Sequence, residues 1–356
     1  MNRIEKIRSK FKAYGIDAFL ITSPENRRYA SGFHSTDGAV LITNESAYLF
    51  VDSRYIEAAQ KAAAGYTIEL IDIQNTYKKR ISEALKRHGC TSVGFEDARL
   101  SYAEYIKYSS DIIKPPMKPA SKLINELRRV KDSWEIENLI AAQRIAERAF
   151  DDILGIIKPG ITEREIAAEI TYRMLKYGGE NTSFDPIVVT GANTSMPHGV
   201  PGDERVQSGD FVTMDFGCVY NGYCSDMTRT VAIGSVSDEM KRVYDIVLEA
   251  QLAGIAAARA GVRGSEIDAA ARKVISDAGF GQYFGHGFGH GIGLDIHEEP
   301  NARPTSEFEM EAGAVISAEP GVYLPGRFGV RIEDVIIIEE NGCKNITSAK
   351  KELIIL

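Results

Sequence analysis

The chain has 356 residues, 44% of them hydrophobic and 26% charged, a composition typical of a globular protein with two domains. The net charge is −8, and the acidic excess lies after residue 125, which argues against nucleic acid as a partner. No apolar run approaches the ~20 residues that cross a bilayer, so no membrane partner is expected. The N-terminal stretch lacks a signal-peptide core, and four cysteines lie scattered without C-x-x-C spacing. We therefore expect a reduced, cytoplasmic protein.

The first third of the chain alternates short apolar runs with helical patterns, which predicts an α/β layer domain. Strands are expected at 17–22, 39–43, 47–51, 68–73 and 92–95. Helices are expected at 54–64 and 77–87. The segment 113–122 contains three prolines and three lysines and is expected to be a stiff linker. We therefore place one domain at 1–120 and a second at 125–356.

The second domain begins with two long helical patterns, at 133–156 and 162–177. Each follows a capping residue, Asp132 or Thr162, with a glutamate three positions later. A second helix pair is expected at 237–260 and 265–278. Strand patterns follow both pairs, which predicts an α+β domain and suggests an internal duplication.

Glycine occupies every odd position of segment 285–293. If this segment is extended, His286 and His290 lie on one face and only glycine lies on the other. Glycine inside a strand indicates that another backbone or a ligand approaches closely. The segment is therefore interpreted as part of a metal or catalytic site, with a simple glycine-rich loop as the alternative. The spacing does not match the nucleotide-binding pattern G-x-G-x-x-G.

An Asn-Gly pair at 221–222 joins two strand-like runs, which predicts a hairpin with a two-residue type I′ turn. Asp215 then lies opposite Thr228, and Gly217 lies opposite Asp226. Asp215 and Asp226 share one face as diagonal neighbours ~7–8 Å apart. Two buried aspartates without a cation would repel each other and shift their pKa values.

A second hairpin is predicted from runs 314–319 and 330–338, with its turn centred near Gly326. This register places Glu319 opposite Glu333. Together with His290, the two hairpins gather two aspartates, two glutamates and one histidine, all expected on strands. Each acid alone would more often be solvated or salt-bridged. The joint set suits two hard or borderline divalent ions, which can share a hydroxide and carry out hydrolysis.

These residues lie in six ordered segments that closely resemble the Xaa-Pro peptidases, prolidase and aminopeptidase P. The segments are MDFG (214–217), YCSDMTRT (223–230), HGFGHGIG (286–293), HEEP (297–300), SAEPGVY (317–323) and VRIED (330–334). Upstream, NRRYASGF (26–33) and the stretch 127–139 also resemble this family. The resemblance implies a creatinase-like α/β N-terminal domain at 1–120. It implies a pita-bread α+β catalytic domain at 125–356, the fold shared with methionine aminopeptidase.

The resemblance also implies a ligand set for two divalent metal ions, Mn²⁺ first, with Co²⁺, Fe²⁺ or Zn²⁺ as alternatives. The five ligands are Asp215, Asp226, His290, Glu319 and Glu333. Asp226 and Glu333 would bridge the ions. A shared hydroxide would attack the Xaa-Pro carbonyl carbon. Glu319 would pass a proton to the leaving proline nitrogen.

Four further residues are assigned to the substrate side by the same resemblance. His198 and His297 would bind substrate and stabilise the developing oxyanion. His286 would help to shape the proline pocket, and Arg331 would orient the metal-bound carboxylates. Tyr323 has two alternative roles, a hydrogen bond near the site or packing in the core.

The expected partners are proline-containing dipeptides or short peptides, and the expected assembly is a homodimer. We favour an Xaa-Pro dipeptidase because the chain and its N-terminal domain are short; an Xaa-Pro aminopeptidase is the alternative. A dipeptidase must bind a free carboxylate, for which arginine is suited, yet Asn301 follows HEEP and Arg303 lies two residues on. Methionine aminopeptidase and a non-catalytic peptide-binding protein are remoter alternatives.

Overall fold

The computed structural model describes residues 2–356, with every side chain among them except that of Asp111. The chain forms two compact units, Met1–Arg128 and Arg129–Leu356. Within residues 2–356, no helix is both long enough and apolar enough to cross a membrane.

The N-terminal unit contains one mixed six-stranded sheet in the order β4-β3-β2-β1-β5-β6. The strands are β1 (Ala18–Ile21), β2 (Ala39–Thr43), β3 (Ala47–Asp52), β4 (Thr67–Ile71), β5 (Val93–Phe95) and β6 (Met117–Pro119). Strands β1, β2 and β3 pair antiparallel, whereas the outer pairings are parallel. Strands β1, β2 and β5 are buried along their whole length, so both faces of the sheet are covered.

Six α-helices and a short π-helix (Lys107–Ile112) accompany this sheet. The α-helices are α1 (Arg3–Tyr14), α2 (Pro24–Ser31), α3 (Ile56–Ala62), α4 (Tyr77–Arg87), α5 (Tyr102–Ile106) and α6 (Ser121–Arg129). The α/β prediction is confirmed, and α4 has the predicted bounds. Helices α2, α5 and α6 were not predicted, and α6 falls at the expected domain boundary.

The prediction that 113–122 is a linker is wrong. Met117–Pro119 forms β6, which pairs in parallel with β5, and the Ala120 N–H donates to the Phe95 carbonyl at 2.9 Å. Strand β6 lies at the edge of the sheet. A proline is tolerated there, because an edge strand has no second neighbour that needs its missing N–H. Local composition gives no indication of such a distant partner strand.

Two helix pairs organise the C-terminal unit. They are α7 (Ser133–Leu154) with α8 (Glu163–Lys176), and α9 (Asp238–Ala257) with α10 (Gly264–Asp277). Helices α7 and α8 begin at the predicted capping boxes, in which the side chains of Asp132 and Thr162 accept from the N–H three residues later. Two single 3₁₀ turns lie at Gly191–Ser195 and Gly281–Tyr283.

The named strands of this unit all pair antiparallel. Their sheets have the orders β11-β10-β7, β12-β9-β8, β14-β13-β15-β18-β19 and β16-β17. The strands are β7 (Asn181–Thr182), β8 (Ile187–Thr190), β9 (Phe211–Phe216), β10 (Cys218–Tyr220), β11 (Tyr223–Cys224), β12 (Met227–Ala232), β13 (Gly289–Gly291), β14 (Glu298–Ala302), β15 (Val315–Ala318), β16 (Gly321–Leu324), β17 (Phe328–Arg331), β18 (Asp334–Glu339) and β19 (Gly342–Asn345).

Each helix pair has its own apolar core. Helices α7 and α8 bury Phe150 and Ile170 against β8, β9 and β12. Helices α9 and α10 bury Val247 and Ile267 against the strands from β15 to β18. The α+β prediction is confirmed. One core packs on the hairpin that contains β9 and β12, and the other packs on the hairpin that runs from β15 to β18. These two hairpins carry the candidate ligands.

Candidate metal centre

The first carboxylate hairpin has the predicted register. Asp215 lies opposite Thr228, and Tyr220 lies opposite Tyr223. Asn221 and Gly222 have φ values of 45° and 81°, both positive as a type I′ turn requires. Asp215 belongs to β9, whereas Asp226 occupies a two-residue break between β11 and β12.

The second hairpin also has its predicted register, with Gly321 opposite Arg331 and Ala318 opposite Asp334. Its turn includes Gly326, with a φ of 70°. Each strand of this hairpin is interrupted once. The chain passes from the five-stranded sheet to the two-stranded sheet between β15 and β16, and it returns between β17 and β18. Both glutamates lie at these breaks.

The prediction that all five candidate ligands lie on strands is therefore wrong for three of them, Asp226, Glu319 and Glu333. The breaks free backbone groups to bond outside their own hairpin. The Glu319 N–H donates to the Phe288 carbonyl at 2.8 Å, and the Glu333 N–H donates to the Thr228 carbonyl at 3.1 Å. These two bonds join the second hairpin to the histidine segment and to the first hairpin.

Only Gly289–Gly291 of the glycine–histidine segment is a strand, so the strand covers the centre of 285–293 and not its whole length. The close approach that these glycines were expected to allow is found at four of the five positions, and at Gly289 and Gly291 the approaching atom is a backbone oxygen. A Cβ at Gly289 would lie 2.0 Å from the Ser317 carbonyl oxygen, and a Cβ at Gly291 would lie 2.6 Å from that of Glu298. A Cβ at Gly285 would meet nothing within 4 Å. Close strand packing therefore requires the central glycines and not the first.

The three elements bring Asp226, His290 and Glu333 together, with one ligand atom of each within 4.8 Å of the others. His290 Nε2 is 3.5 Å from Asp226 Oδ2 and 3.3 Å from Glu319 Oε1. His290 Nδ1 lies 3.2 Å from the Gly291 carbonyl oxygen, which can only accept a hydrogen bond. Nδ1 therefore carries the proton, and the lone pair of Nε2 faces the carboxylates, the arrangement typical of a metal-ligating imidazole.

Burial and mutual repulsion dominate the electrostatics of this group. Burial, with the charges of Asp215 and Glu319, raises the pKa of the Asp226 carboxyl well above its ordinary value. Burial and the charge of Asp226 do the same to the pKa of Glu333. Burial also raises the pKa of Glu319 and lowers that of the His290 imidazole. A cation between these groups would reverse this cost for the carboxylates.

Two carboxylate oxygens give a direct test of whether a metal fits. Asp215 Oδ1 and Glu333 Oε1 are buried and have no hydrogen-bond partner in the described part of the chain. The other oxygen of each is used: Asp215 Oδ2 accepts from Arg331 Nη2 at 2.6 Å, and Glu333 Oε2 accepts from Thr228 Oγ1 at 2.7 Å. A buried acceptor without a donor is costly. The donor set therefore fits divalent cations, which prefer such oxygens and a neutral imidazole.

Arg331 connects the carboxylates to the neighbouring elements. Besides Asp215, it donates to Thr228 Oγ1 at 3.1 Å, to the Tyr323 hydroxyl at 2.9 Å and to the Pro197 carbonyl at 3.3 Å. Burial raises the pKa of Tyr323 to about 12, so its phenol stays protonated. Of the two alternatives for Tyr323, the structure shows the hydrogen bond.

The other three candidate histidines, His198, His286 and His297, lie around this group at different depths. His286 Nδ1 is 2.8 Å from the Gly287 carbonyl oxygen, so Nε2 accepts from the Tyr323 hydroxyl at 2.9 Å. The ring of His297 is edge-on to that of His290, with 4.2 Å between centroids, and its side chain is exposed. His198 is exposed in the turn that contains Pro197. Burial lowers the pKa of both His286 and His297, so both imidazoles favour the neutral form.

Sequence reasoning missed two hydroxyl groups that hold the candidate ligands. Thr228 Oγ1 donates to Glu333, and Ser317 Oγ donates to Glu319 Oε1 at 3.1 Å while accepting from the His290 N–H at 3.0 Å. The predicted register carried a signal for Thr228, because a residue directly opposite Asp215 shares its face. No comparable signal marks Ser317, whose role depends on the break after β15.

The sequence and the fold of this chain are similar to those of known proteins. Residues 137–340 match metallopeptidase family M24, and residues 3–130 match the creatinase/prolidase N-terminal domain. The chain therefore belongs to metallopeptidase family M24 and is a hydrolase. The predicted fold, a creatinase-like domain followed by a pita-bread catalytic domain, is confirmed.

Three individual proteins illustrate the similarity. The structure of an Xaa-Pro dipeptidase from Bacillus anthracis has 44% sequence identity and a TM-score of 0.96, covering 99% of each chain. The structure of an X-Pro aminopeptidase from Thermotoga maritima MSB8 has 35% identity and a TM-score of 0.92, covering 98% of this chain and 100% of that one. An Xaa-Pro dipeptidase from Pyrococcus horikoshii is 36% identical over 99% of this chain and 98% of its own length.

Proposed function

We propose that this protein is an Xaa-Pro dipeptidase whose centre holds two divalent metal ions, Mn²⁺ first among them. The observation that carries the metal proposal is the pair of buried, unpartnered oxygens on Asp215 and Glu333 within a set of carboxylates whose pKa values burial raises. The proposed ligands are Asp215, Asp226, His290, Glu319 and Glu333. Asp226 and Glu333 are the residues that would be shared by both ions, as the family resemblance implies.

When bound, the ions would supply a water molecule of lowered pKa and an electrophilic partner for the peptide carbonyl. Glu319 is suited to take the proton of that water, because burial raises the pKa of its carboxyl above its ordinary value and makes it a stronger base. It would then deliver the proton to the proline nitrogen as the bond breaks. Ser317 Oγ donates to Glu319 Oε1 at 3.1 Å and holds this carboxylate in place.

The remaining chain residues are assigned to binding. His198 and His297 are both exposed at the site, where they can contact a peptide and stabilise oxyanion charge. Tyr323 holds His286 and Arg331 together, so His286 has a fixed ring orientation from which to shape the proline pocket. Arg331 would keep Asp215 aimed at the ions through their 2.6 Å contact.

The dipeptidase assignment is favoured over the aminopeptidase by similarity. The Bacillus anthracis dipeptidase is 44% identical to this chain, whereas the Thermotoga maritima aminopeptidase is 35% identical. Arg303 is exposed, and its Cβ would lie 2.8 Å from a Cβ at Gly287, next to His286. We propose that this arginine binds the free carboxylate of a dipeptide.

Cleavage of Ala-Pro and Ala-Pro-Ala-Ala by the Mn²⁺-loaded protein tests the substrate. We expect a higher kcat/KM for Ala-Pro, because the tetrapeptide carries further residues where the carboxylate should bind. Arg303→Met should raise KM for Ala-Pro and leave tetrapeptide cleavage unchanged. Equal or faster cleavage of the tetrapeptide would make the enzyme an aminopeptidase, and hydrolysis of neither peptide would overturn the proposal.

A homodimer is proposed from the family resemblance. Light scattering should give a mass twice the 39.1 kDa of the chain, and a monomeric mass would refute this. A cytoplasmic location is proposed on the four cysteines, which are all free thiols in the structure.

A further inference from the structure

A buried charged cluster lies on the face of β12 that points away from the candidate ligands. Successive side chains on a strand point to opposite faces. Thr228 and Thr230 contact Arg331 on the ligand side, whereas Arg229 points to the other side and pairs with Asp334 at 2.8 Å. We call Arg229, Asp334, Gln251 and Lys351 the back-face cluster.

Arg229 uses all five of its N–H donors. It is 1% exposed, and its partners are one carboxylate and four backbone carbonyls. They are Asp334 Oδ1 at 2.8 Å, Glu333 O at 2.5 Å, Thr228 O at 2.9 Å, Ala349 O at 2.8 Å and Lys350 O at 2.9 Å. Two of these carbonyls belong to Thr228 and Glu333, the pair joined by a side-chain bond on the ligand side. Arg229 therefore fixes the backbone beneath that bond.

Asp334 is fully buried and accepts from four donors, which anchor it on both sides. They are Arg229 Nη2 at 2.8 Å, Lys351 Nζ at 2.7 Å, Gln251 Nε2 at 2.9 Å and Asn345 Nδ2 at 2.6 Å. Asp334 directly follows Glu333 in the chain. Any shift of this carboxylate therefore moves the candidate bridging ligand beside it.

The C-terminal segment, residues 349–356, completes the cluster. It supplies Lys351 and two of the carbonyls that Arg229 requires. Its end runs along the edge strand β12, where the Ala232 N–H donates to the Ile354 carbonyl and the Leu356 N–H donates to the Ala232 carbonyl, both at 2.9 Å. At its start, Glu147 accepts from the N–H groups of Ser348 and Ala349.

We propose that Arg229 and Asp334 are positioning residues for Glu333. The C-terminal segment supports them from the face opposite the candidate ligands, where Lys351 donates to Asp334. This proposal rests on the proposed metal centre. Metal affinity distinguishes a positioning role from a purely structural one. A structural ion pair affects unfolding alone, whereas a positioning pair also sets how tightly the folded protein binds metal.

Titration of the metal-free protein with Co²⁺, followed by visible absorption, tests this below the unfolding temperature of each variant. Arg229→Lys keeps the positive charge but loses most of the five N–H donors. Asp334→Asn removes the negative charge and places an amide N–H₂ among the four groups that donate to Asp334. Both should bind Co²⁺ about tenfold more weakly or worse, the usual effect of losing a group that orients a metal ligand. Their absorption bands should also change, because these report ligand geometry.

The matched control is Arg173→Lys, the same substitution in an arginine that pairs with Glu169 and Asp152 on α7 and α8, outside the ligand strands. It should bind Co²⁺ like the wild type. If Arg229→Lys fails to fold, Lys351→Met decides, because Lys351 is 21% exposed and its loss removes only one donor to Asp334. It should weaken Co²⁺ binding more than the control does.

Wild-type affinity and absorption in the folded Arg229, Asp334 and Lys351 variants would overturn the positioning role alone. A wild-type protein that binds no Co²⁺ would overturn the proposed metal centre, and this proposal with it.

Discussion

Asp226→Asn should make the metal-free protein more stable while removing its function. Asp226 is 4% exposed and lies near a second buried carboxylate, Glu333. Without metal the two carboxylates repel each other. Asparagine has the same shape, removes one charge and brings an N–H₂ that can donate to the unpartnered Glu333 Oε1.

The structure sets the size of the repulsion. The ligand atoms of Asp226 and Glu333 are within 4.8 Å of each other. Two unit charges at that distance repel by about 3.5 kcal/mol at an effective dielectric constant of ~20. The variant gains less than the full repulsion, because the metal-free wild type relieves part of it by taking up a proton. We therefore expect Asp226→Asn to raise the free energy of unfolding by about 1–3 kcal/mol at pH 8 in EDTA.

The gain should depend on pH in a defined direction. The pKa of Asp226 is raised in the folded state, chiefly by burial, whereas an unfolded aspartate has a pKa of ~3.9. Above that pH the unfolded chain releases a proton that the folded protein retains. Wild-type stability therefore falls as the pH rises toward the folded-state pKa. The variant lacks this group, so its advantage should be smaller at pH 5 than at pH 8.

Urea unfolding at both pH values, with and without Mn²⁺, measures these effects. Saturating metal should reverse the order, since free metal at a hundred times its Kd stabilises the wild type by about 2.7 kcal/mol. The variant should also show no hydrolysis. Asp268→Asn is the opposite control, because Asp268 pairs with Arg272 at 2.7 Å and its loss should destabilise. A variant that is less stable than wild type in EDTA at pH 8, or that keeps full activity, would refute the reasoning.

Two further substitutions test the packing around the site. Gly289→Ala should prevent folding or abolish metal binding, because its Cβ would lie 2.0 Å from the Ser317 carbonyl oxygen. Gly285→Ala is the control, since a Cβ there meets nothing within 4 Å and the variant should behave as wild type. Circular dichroism and Co²⁺ titration compare the two variants, and equal behaviour would contradict the close-packing argument. Lys131→Met should lower the free energy of unfolding by about 3 kcal/mol in urea, because Lys131 and Glu298 form an almost fully buried ion pair at 2.8 Å and the substitution removes one of its two charges. A change below ~1 kcal/mol would count against this.

The two ligand hairpins could be predicted because their registers depend on local turns. Asn221 and Gly222 favour a tight type I′ turn, and that turn fixes the facing positions of both strands. Gly326 centres the second hairpin in the same way. Once both registers were set, the alternation of side chains was enough to place Asp215 beside Asp226 and Glu319 beside Glu333.

What sequence reasoning missed depends on long-range pairing. The edge strand β6 pairs with β5, and the proline-rich composition of its segment predicted a linker instead. The breaks at Glu319 and Glu333 arise where the chain passes between sheets, and their N–H groups bond to Phe288 and Thr228, which are distant in sequence. No local pattern reports such bonds.

The back-face cluster shows why the motifs of this chain extend beyond its candidate ligands. In VRIED, Arg331 and Glu333 face the candidate ions, whereas Asp334 faces Arg229 on the opposite side. Adjacent residues thus supply a candidate ligand and the anchor of its backbone, and their side chains point to opposite sides. A buried charge is tolerated there because Asp334 has four donors, while the carboxylates opposite retain unpartnered oxygens. The contrast between a fully satisfied face and an unsatisfied one marks the side on which cations would bind.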